Sequence, residues 1–191
     1  QRATELDSLK SQLNPHFLFN TLNTIYALIA VDGADAQRAV HRLSGLLRYM
    51  LYEDVAAVTL RREADFIEDY VSLMKLRLSG RDVVLTVDLA DKATSNVPPL
   101  LFVPLVENAF KYGTSGADHT PVEISLVVEG DTAVCTTRNA YTPGEGGREG
   151  SSGIGLANLR RRLTLLFGQK ASFGTVADGH VFTARLVVPL S

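Results

Sequence analysis

The sequence predicts an α+β protein in two parts: a dimerising helical hairpin over residues 1–57, then a layered domain of helices on a mixed or antiparallel sheet over 58–191. Three observations carry this. Apolar residues recur at helical spacing from Leu6 to Met50, strand-like alternation begins only at Val83, and beyond it strands and helices intermix without regular βαβ repetition. The last feature argues against a doubly wound parallel sheet.

Leu6, Leu9, Leu13 and Phe17 fall on one helical face, and Leu18, Leu22, Ile25 and Ile29 on another, so the apolar stripe changes face near Pro15. Proline lacks an amide donor and crowds the preceding turn, so Asn14-Pro15 either kinks a long helix or starts a new one capped by Asn14. Val31 to Asp35 reads as a turn with Asp35 as the next cap, after which Ala36, Val40, Leu43, Leu47 and Met50 form a coiled-coil seam. Such a hairpin has apolar faces too wide to bury on each other alone, which predicts a homodimer closing into a four-helix bundle.

Residues 60–79 read as an amphipathic helix (Phe66, Ile67, Tyr70, Met74) closed by Ser79-Gly80, and Val83 to Leu89 as a strand. A helix is expected from Pro98 to Tyr112, with the prolines in its first turn and Gly113 as its stop. Val122 to Val128 and Thr132 to Thr137 form a hairpin; the glycine-rich run Pro143 to Gly150 reads as a mobile loop; a helix spans Leu156 to Leu166, ending at Gly168. Ala171 to Ala177 and His180 to Val188 close the chain as a hairpin turned by Asp178-Gly179.

With 191 residues the chain accommodates one sizeable domain and a helical appendage without covalent staples. Its 19 Lys and Arg against 21 Asp and Glu give no electrostatic case for nucleic acid or an anionic membrane as direct partner. The longest apolar run, Val97 to Val106, is broken by Pro98, Pro99 and Pro104 and cannot span a bilayer. The single Cys135 excludes a disulfide framework and reads as a small buried hydrophobe. The start at Gln1-Arg2-Ala3, already helical in pattern and without an initiator Met, reads as a fragment of something longer.

On a helix entered at Pro15, His16, Asn20 and Asn23 share the face opposite Leu18, Leu22 and Ile25. An exposed imidazole, with an ordinary pKa of about 6.5, is mostly neutral at neutral pH, and its free nitrogen can attack phosphorus. In Glu107-Asn108-Ala109-Phe110-Lys111-Tyr112, Asn108 offers a carbonyl oxygen to Mg²⁺ and Lys111 a point charge to phosphate. Gly150 to Leu156 adds glycines leading into a helix, where backbone amides can approach an anion at the positive helix end. Together with the glycine-rich loop these point to a nucleotide site. Arg160-Arg161-Arg162, on consecutive helical positions, reads as a solvated face.

At these residues the chain resembles the LytS-type sensor histidine kinases, whose catalytic half belongs to the GHKL ATPases. Leu13 to Asn23, reading LNPHFLFNTLN, is similar to the family's phosphoacceptor segment. Leu46 to Leu51, Tyr70 to Arg77, Pro98 to Tyr112 and Gly153 to Leu163 resemble, in the family's order, the second hairpin helix, the following helix, the N box and the G box. The resemblance implies a Bergerat-type α/β sandwich ATP-binding domain, with His16 as phosphoacceptor beside Asn20. It implies Mg·ATP held by Asn108 on the metal, by Lys111 and Tyr112, and by Gly153, Ile154, Gly155, Leu156 and Asn158. It further implies a response regulator receiver domain with a LytTR-type DNA-binding output as partner, and a parent protein anchored in a bacterial inner membrane with this portion cytoplasmic.

Three departures stand out. The usual Asp-x-Gly motif against the adenine amino group is replaced by Thr137-Arg138-Asn139-Ala140-Tyr141, which makes Asn139 the substitute acceptor and predicts weaker ATP binding. His180 stands where related domains often carry a small hydroxyl residue. Phe17 replaces the acidic residue that often follows the phosphoacceptor, so the proton acceptor lies elsewhere, at Glu107 or in solvent. A lid from Gly144 to Gly150 and a hinge from Glu53 to Thr59 complete the expected machinery. The alternative is a non-catalytic dimeric GHKL-like regulator that docks a receiver domain, its nucleotide site degenerate.

Overall fold

The computed structural model describes residues 15–52, 55–78, 82–113, 120–142 and 152–191; the side chains of Pro15, His16, Tyr52 and residues 152–154 are outside that description. The chain forms two compact units. One contains the described residues of Gln1–Ala56 and Glu68–Ser79, the other those of Ala57–Ile67 and Gly80–Ser191.

The first unit is built from α1 (Pro15–Ile29), α2 (Gly33–Tyr52) and the second half of α3 (Leu60–Arg77). Proline at the first described position of α1 suits a helix start, where its missing amide has no helical acceptor; Asn14 lies outside the described residues. The α1–α2 turn closes on Leu28, whose carbonyl accepts from Val31 and Asp32. Asp32, not the expected Asp35, caps α2: its carboxylate accepts the Asp35 amide at 3.0 Å, while Asp35 turns to pair with Arg38.

The faces also differ from those expected. In α1 the buried line is Phe17, Thr21 and Ile25, with Leu22 and Ile29 exposed. In α2 it is Ala36, Ala39, Leu43, Leu46 and Tyr49, whereas Val40 is exposed and Leu47 and Met50 are half-buried. The reason is that two apolar stripes exist, and the one with small and aromatic residues packs inside the hairpin. Tyr70 of α3 stacks on Phe17 with ring centroids 4.9 Å apart, and Asp69 approaches Arg42 at 3.7 Å. The boundary expected at 57/58 divides the chain once; these contacts place residues 68–79 with the hairpin.

The second unit is a layer of helices on a mixed sheet. Strands β2 (Val83–Asp88), β4 (Val122–Glu129), β5 (Thr132–Ala140), β6 (Ser172–Asp178) and β7 (Val181–Pro189) lie in the order β2-β4-β5-β7-β6. Among the described strands only β2 and β4 are parallel. A second sheet pairs β1 (Val58–Thr59) with β3 (Asn96–Val97), two residues each and too short to leave a periodic signal. Inward residues alternate along the central strands: Ile124 and Leu126 on β4, Ala133, Cys135, Thr137 and Asn139 on β5, and Ala184, Leu186 and Val188 on β7 are buried. Against β4 and β5 packs α4 (Val103–Gly113), which also meets α5 (Ser152–Phe167).

Both helices start elsewhere than expected. Pro98 to Phe102 is not helical: Leu100 has φ 55°, in the left-handed region, and α4 begins after Phe102, whose carbonyl accepts from Leu105 and Val106. The amides of Leu100 and Leu101 instead donate to the buried Glu63 carboxylate, at 2.6 and 3.2 Å. Helix α5 begins at Ser152, four residues early, so Gly153 and Gly155 lie within its first turns. It stops as expected at Gly168, whose φ of 59° only glycine adopts without steric cost. Gly113 ends α4 for a different reason: a Cβ there would lie 2.8 Å from the Asn139 Cβ and 2.9 Å from Val122 Cγ2. Close packing, not a left-handed cap, requires that glycine.

Candidate functional site

In the first unit, His16 lies in the first turn of α1. Asn20, one turn on, is half-buried, and its carbonyl accepts the Thr24 hydroxyl at 2.9 Å; Asn23 is exposed. No shape is given to the hinge residues Glu53 and Asp54, nor to the loop 143–151, because both lie outside the described residues.

The remaining candidates all belong to the second unit. Helical geometry puts Asn108, Lys111 and Tyr112 on one side of α4, opposite Leu105, Val106, Ala109 and Phe110, which are buried. Asn108 and Tyr112 are half-buried and Lys111 is exposed, its Nζ 5.4 Å from the Tyr112 ring centroid. Glu107 is pushed up to about 7, first because burial strips water from its carboxylate, with the Lys111 charge opposing. It can hold or take up a proton near neutral pH.

Asn139 meets the end of this helix. Its backbone pairs with Phe182 of β7, its side chain is 1% exposed and fills the space left by Gly113, and its Nδ2 donates to the Ala140 carbonyl at 2.8 Å. That bond fixes which end of the amide is free. Oδ1 is buried without a hydrogen-bond partner, so the site presents an acceptor and asks for a donor. An exocyclic amino group supplies one, and a purine carbonyl does not. Two residues upstream on the same face, the Thr137 hydroxyl is likewise buried and unpartnered. No sequence signal marks this hydroxyl, since a threonine in a strand is ordinary.

In α5, Gly155 is exposed and a Cβ there would meet nothing within 4 Å; Leu156 is half-buried and Asn158 exposed. The first amides of α5, those of Ser152, Gly153 and Ile154 among them, have no helical acceptor among the described residues, and the amides at a helix start suit an anion. The orphaned acceptor on β5, the Asn108 amide and Lys111 on α4, and the opening amides of α5 are the group types that suit an amino group, Mg²⁺ and phosphates respectively.

The arginine triplet is not a uniformly solvated face. Arg162 donates to the carbonyls of Pro99 and Leu100, at 2.7 and 3.1 Å, and Arg160 stacks over Phe173 at 4.6 Å while donating to its carbonyl. Arg160 and Arg161 are exposed, as that expectation has it, and Arg162 is the one that turns inward. His180, the second departure, is exposed in the β6–β7 turn, where Tyr141 donates its amide to the His180 carbonyl at 2.6 Å.

Helices on a mixed five-stranded sheet, preceded by a helical hairpin, make up the fold of histidine kinase domains. Solved structures share it. The histidine kinase domain of the Erythrobacter litoralis EL346 blue-light activated histidine kinase matches with a TM-score of 0.52 and 18% identity, over 99% of this chain and 94% of that one. A nucleotide-free form of the catalytic domain of histidine kinase ThkA matches at 0.52 and 10%, over 71% and 98%.

A histidine kinase family profile matches residues 4–82. Sensor histidine kinase YesM of Bacillus subtilis is 34% identical over 99% of this chain and 33% of its own length. Sensor histidine kinase/phosphatase LytS of Staphylococcus aureus is 32% identical over 95% and 34%, and sensor histidine kinase YpdA of Escherichia coli 31% over 86% and 31%. The chain is similar over nearly its whole length to these LytS-type sensor histidine kinases, and spans about a third of their length.

Proposed function

We propose that this chain is the catalytic core of a dimeric sensor histidine kinase, which phosphorylates its own His16 from ATP and passes the phosphoryl group to an aspartate of a response regulator receiver domain. The observation that carries the nucleotide assignment is Asn139 Oδ1, a buried acceptor left open beside the end of the helix that bears Asn108 and Lys111.

Asn108 is the residue suited to hold Mg²⁺, and a bound Mg²⁺ supplies charge neutralisation at the phosphates. Asn139 accepts from the adenine amino group, Lys111 stands by the phosphates, and the opening amides of α5 from Ser152 onward receive them. At His16 the unprotonated imidazole nitrogen forms the N–P bond. The bond between the γ-phosphorus and the bridging oxygen breaks with its electron pair leaving on ADP, and the proton of the other ring nitrogen is released. Glu107 and solvent are the available acceptors.

Dimerisation is supported by an exposed seam on α1: Phe19, Leu22, Tyr26 and Ile29 repeat at intervals of three and four and remain uncovered, Tyr26 to 80%. A second copy of the hairpin is the occupant this spacing suits. No helix among the described residues is long and apolar enough to cross a membrane. Placement of this portion in the cytoplasm, anchoring of the parent protein in the membrane and a LytTR-type output on the partner extend the reading to the whole protein.

The test is incubation with Mg²⁺ and γ-labelled ATP, comparing wild type with His16→Gln for acid-labile, alkali-stable label. Label in wild type alone is expected. Equal labelling of both forms contradicts His16 as acceptor, and failure to bind ATP leaves the non-catalytic receiver-docking regulator as the better account.

A further inference from the structure

We infer that Glu63 and Arg162 are positioning residues for the metal-binding end of the ATP site, acting through the three residues Pro99, Leu100 and Leu101. The inference rests on the nucleotide reading above and adds residues that the motifs do not contain.

The geometry is a clamp on one short segment. Glu63, in the first turn of α3, is 0% exposed, and its two oxygens accept the consecutive amides of Leu100 and Leu101. Arg162, two turns beyond Gly155 on α5, forks onto the carbonyls of Pro99 and Leu100. Leu100 is thus held at both its amide and its carbonyl, in a left-handed conformation that a branched side chain does not favour. A fully buried carboxylate is costly unless its oxygens are satisfied, and here adjacent amides satisfy both.

What the clamp fixes is the start of α4. Leu101 immediately precedes Phe102, whose carbonyl opens the helix, and Asn108 follows six residues on, about 9 Å along a rigid rod at 1.5 Å per residue. A displacement at Leu100 is carried to Asn108 undiminished. Because the second jaw is on α5, the segment also ties the metal-bearing helix to the glycine-bearing one. Asn139 touches α4 at Gly113 but is held in β5 between β4 and β7, so a shift of the helix moves it less than Asn108. The clamp therefore governs chiefly the metal end, where Mg²⁺ tolerates little departure from octahedral geometry, and base recognition much less.

The experiment separates these two. Wild type, Glu63→Gln, Arg162→Lys and the double variant are titrated with ATP at varied Mg²⁺, and with ADP in EDTA, alongside thermal melts. Gln offers an acceptor to only one of the two amides, and Lys cannot fork onto two carbonyls. The half-saturating Mg²⁺ for ATP is expected to rise about tenfold in each single variant, as for other outer-shell partners of metal ligands, with ADP affinity in EDTA changed by less than about twofold. The double variant should be little worse than the worse single one, since both act through one segment. Unchanged Mg²⁺ dependence in folded variants overturns the inference, as does a parallel loss of both affinities; if Glu63→Gln does not fold, Arg162→Lys decides. Wild type that binds no nucleotide overturns the ATP reading as well, whereas normal Mg²⁺-dependent binding in wild type and variants alike overturns this inference alone.

Discussion

Glu107 carries the sharpest pH signature of any single residue described. Its carboxyl is raised from 4.5 to about 7 by burial, so the folded state holds the proton more tightly than the unfolded chain. Below pH ~4.5 both states are protonated and no penalty arises; between ~4.5 and ~7 stability falls as pH rises, and above ~7 the full penalty of about 3 kcal/mol applies. Glu107→Gln, neutral throughout, is expected to melt above wild type near pH 8 and level with it near pH 4. A gap that does not close on acidification would sink this account. Among single residues, His16, Asn108 and Lys111 could be proposed from sequence because their type and spacing suggest a chemistry without a fold. Glu63 was partly legible: it interrupts the apolar stripe of Leu60, Ile67, Tyr70 and Met74 at a position that faces the core. Arg162 was not, since which of three adjacent arginines turns inward depends on where a distant loop presents its carbonyls. Cys135, expected as a small hydrophobe, is buried, and loss of hydration, with the Glu63 charge adding to it, pushes its thiol up to about 12.

Strands and hairpins followed the sequence closely, because alternation and turn residues are local signals: both turn glycines, Gly130 and Gly179, adopt positive φ. The starts of α2, α4 and α5 did not, whereas α3 starts at Leu60 as expected. Pro98-Pro99 has the composition of a helical first turn, but the two amides that follow found a better acceptor in Glu63, a partner 37 residues away in sequence. Similarly, glycines at 153 and 155 read as a loop, yet packing of α5 beside α4 carries the helix through them. Gly113 shows the same dependence on distant residues, and yields a test. Gly113→Ala places a methyl group against Asn139 Cβ and Val122 Cγ2, and should destabilise the chain by about 1–3 kcal/mol, the range for overpacking, with a matching fall in melting temperature. ATP affinity should fall with it, because Asn139 must move to make room. A melt indistinguishable from wild type would show that the helix end yields freely.

At the scale of the whole molecule the two-part α+β organisation was readable from the change of period near Val83, whereas the allotment of α3 to both units was not, since nothing in a continuous amphipathic helix marks where its partners change. The helical part carries a prediction of its own. Leu22→Glu with Tyr26→Glu puts charge into the exposed α1 seam without touching Phe17, Thr21 or Ile25, so sedimentation velocity should report a monomer for the variant and a dimer for wild type. ATP binding should survive. A variant that still sediments as a dimer would place the self-association surface elsewhere.

One feature of the sheet reaches further. The residue proposed to read the base, Asn139, is rooted in β5, which has β4 on one side and β7 on the other, while the groups proposed for metal and phosphate ride on helices. In that proposal the nucleotide is gripped at one end by a fixed datum and at the other by parts that can be re-aimed. Identity of the fuel and tuning of the signal become separable traits: drift in helix contacts can reset catalytic output without altering which nucleotide is accepted, and a change at one strand position can alter the fuel without redesigning the relay.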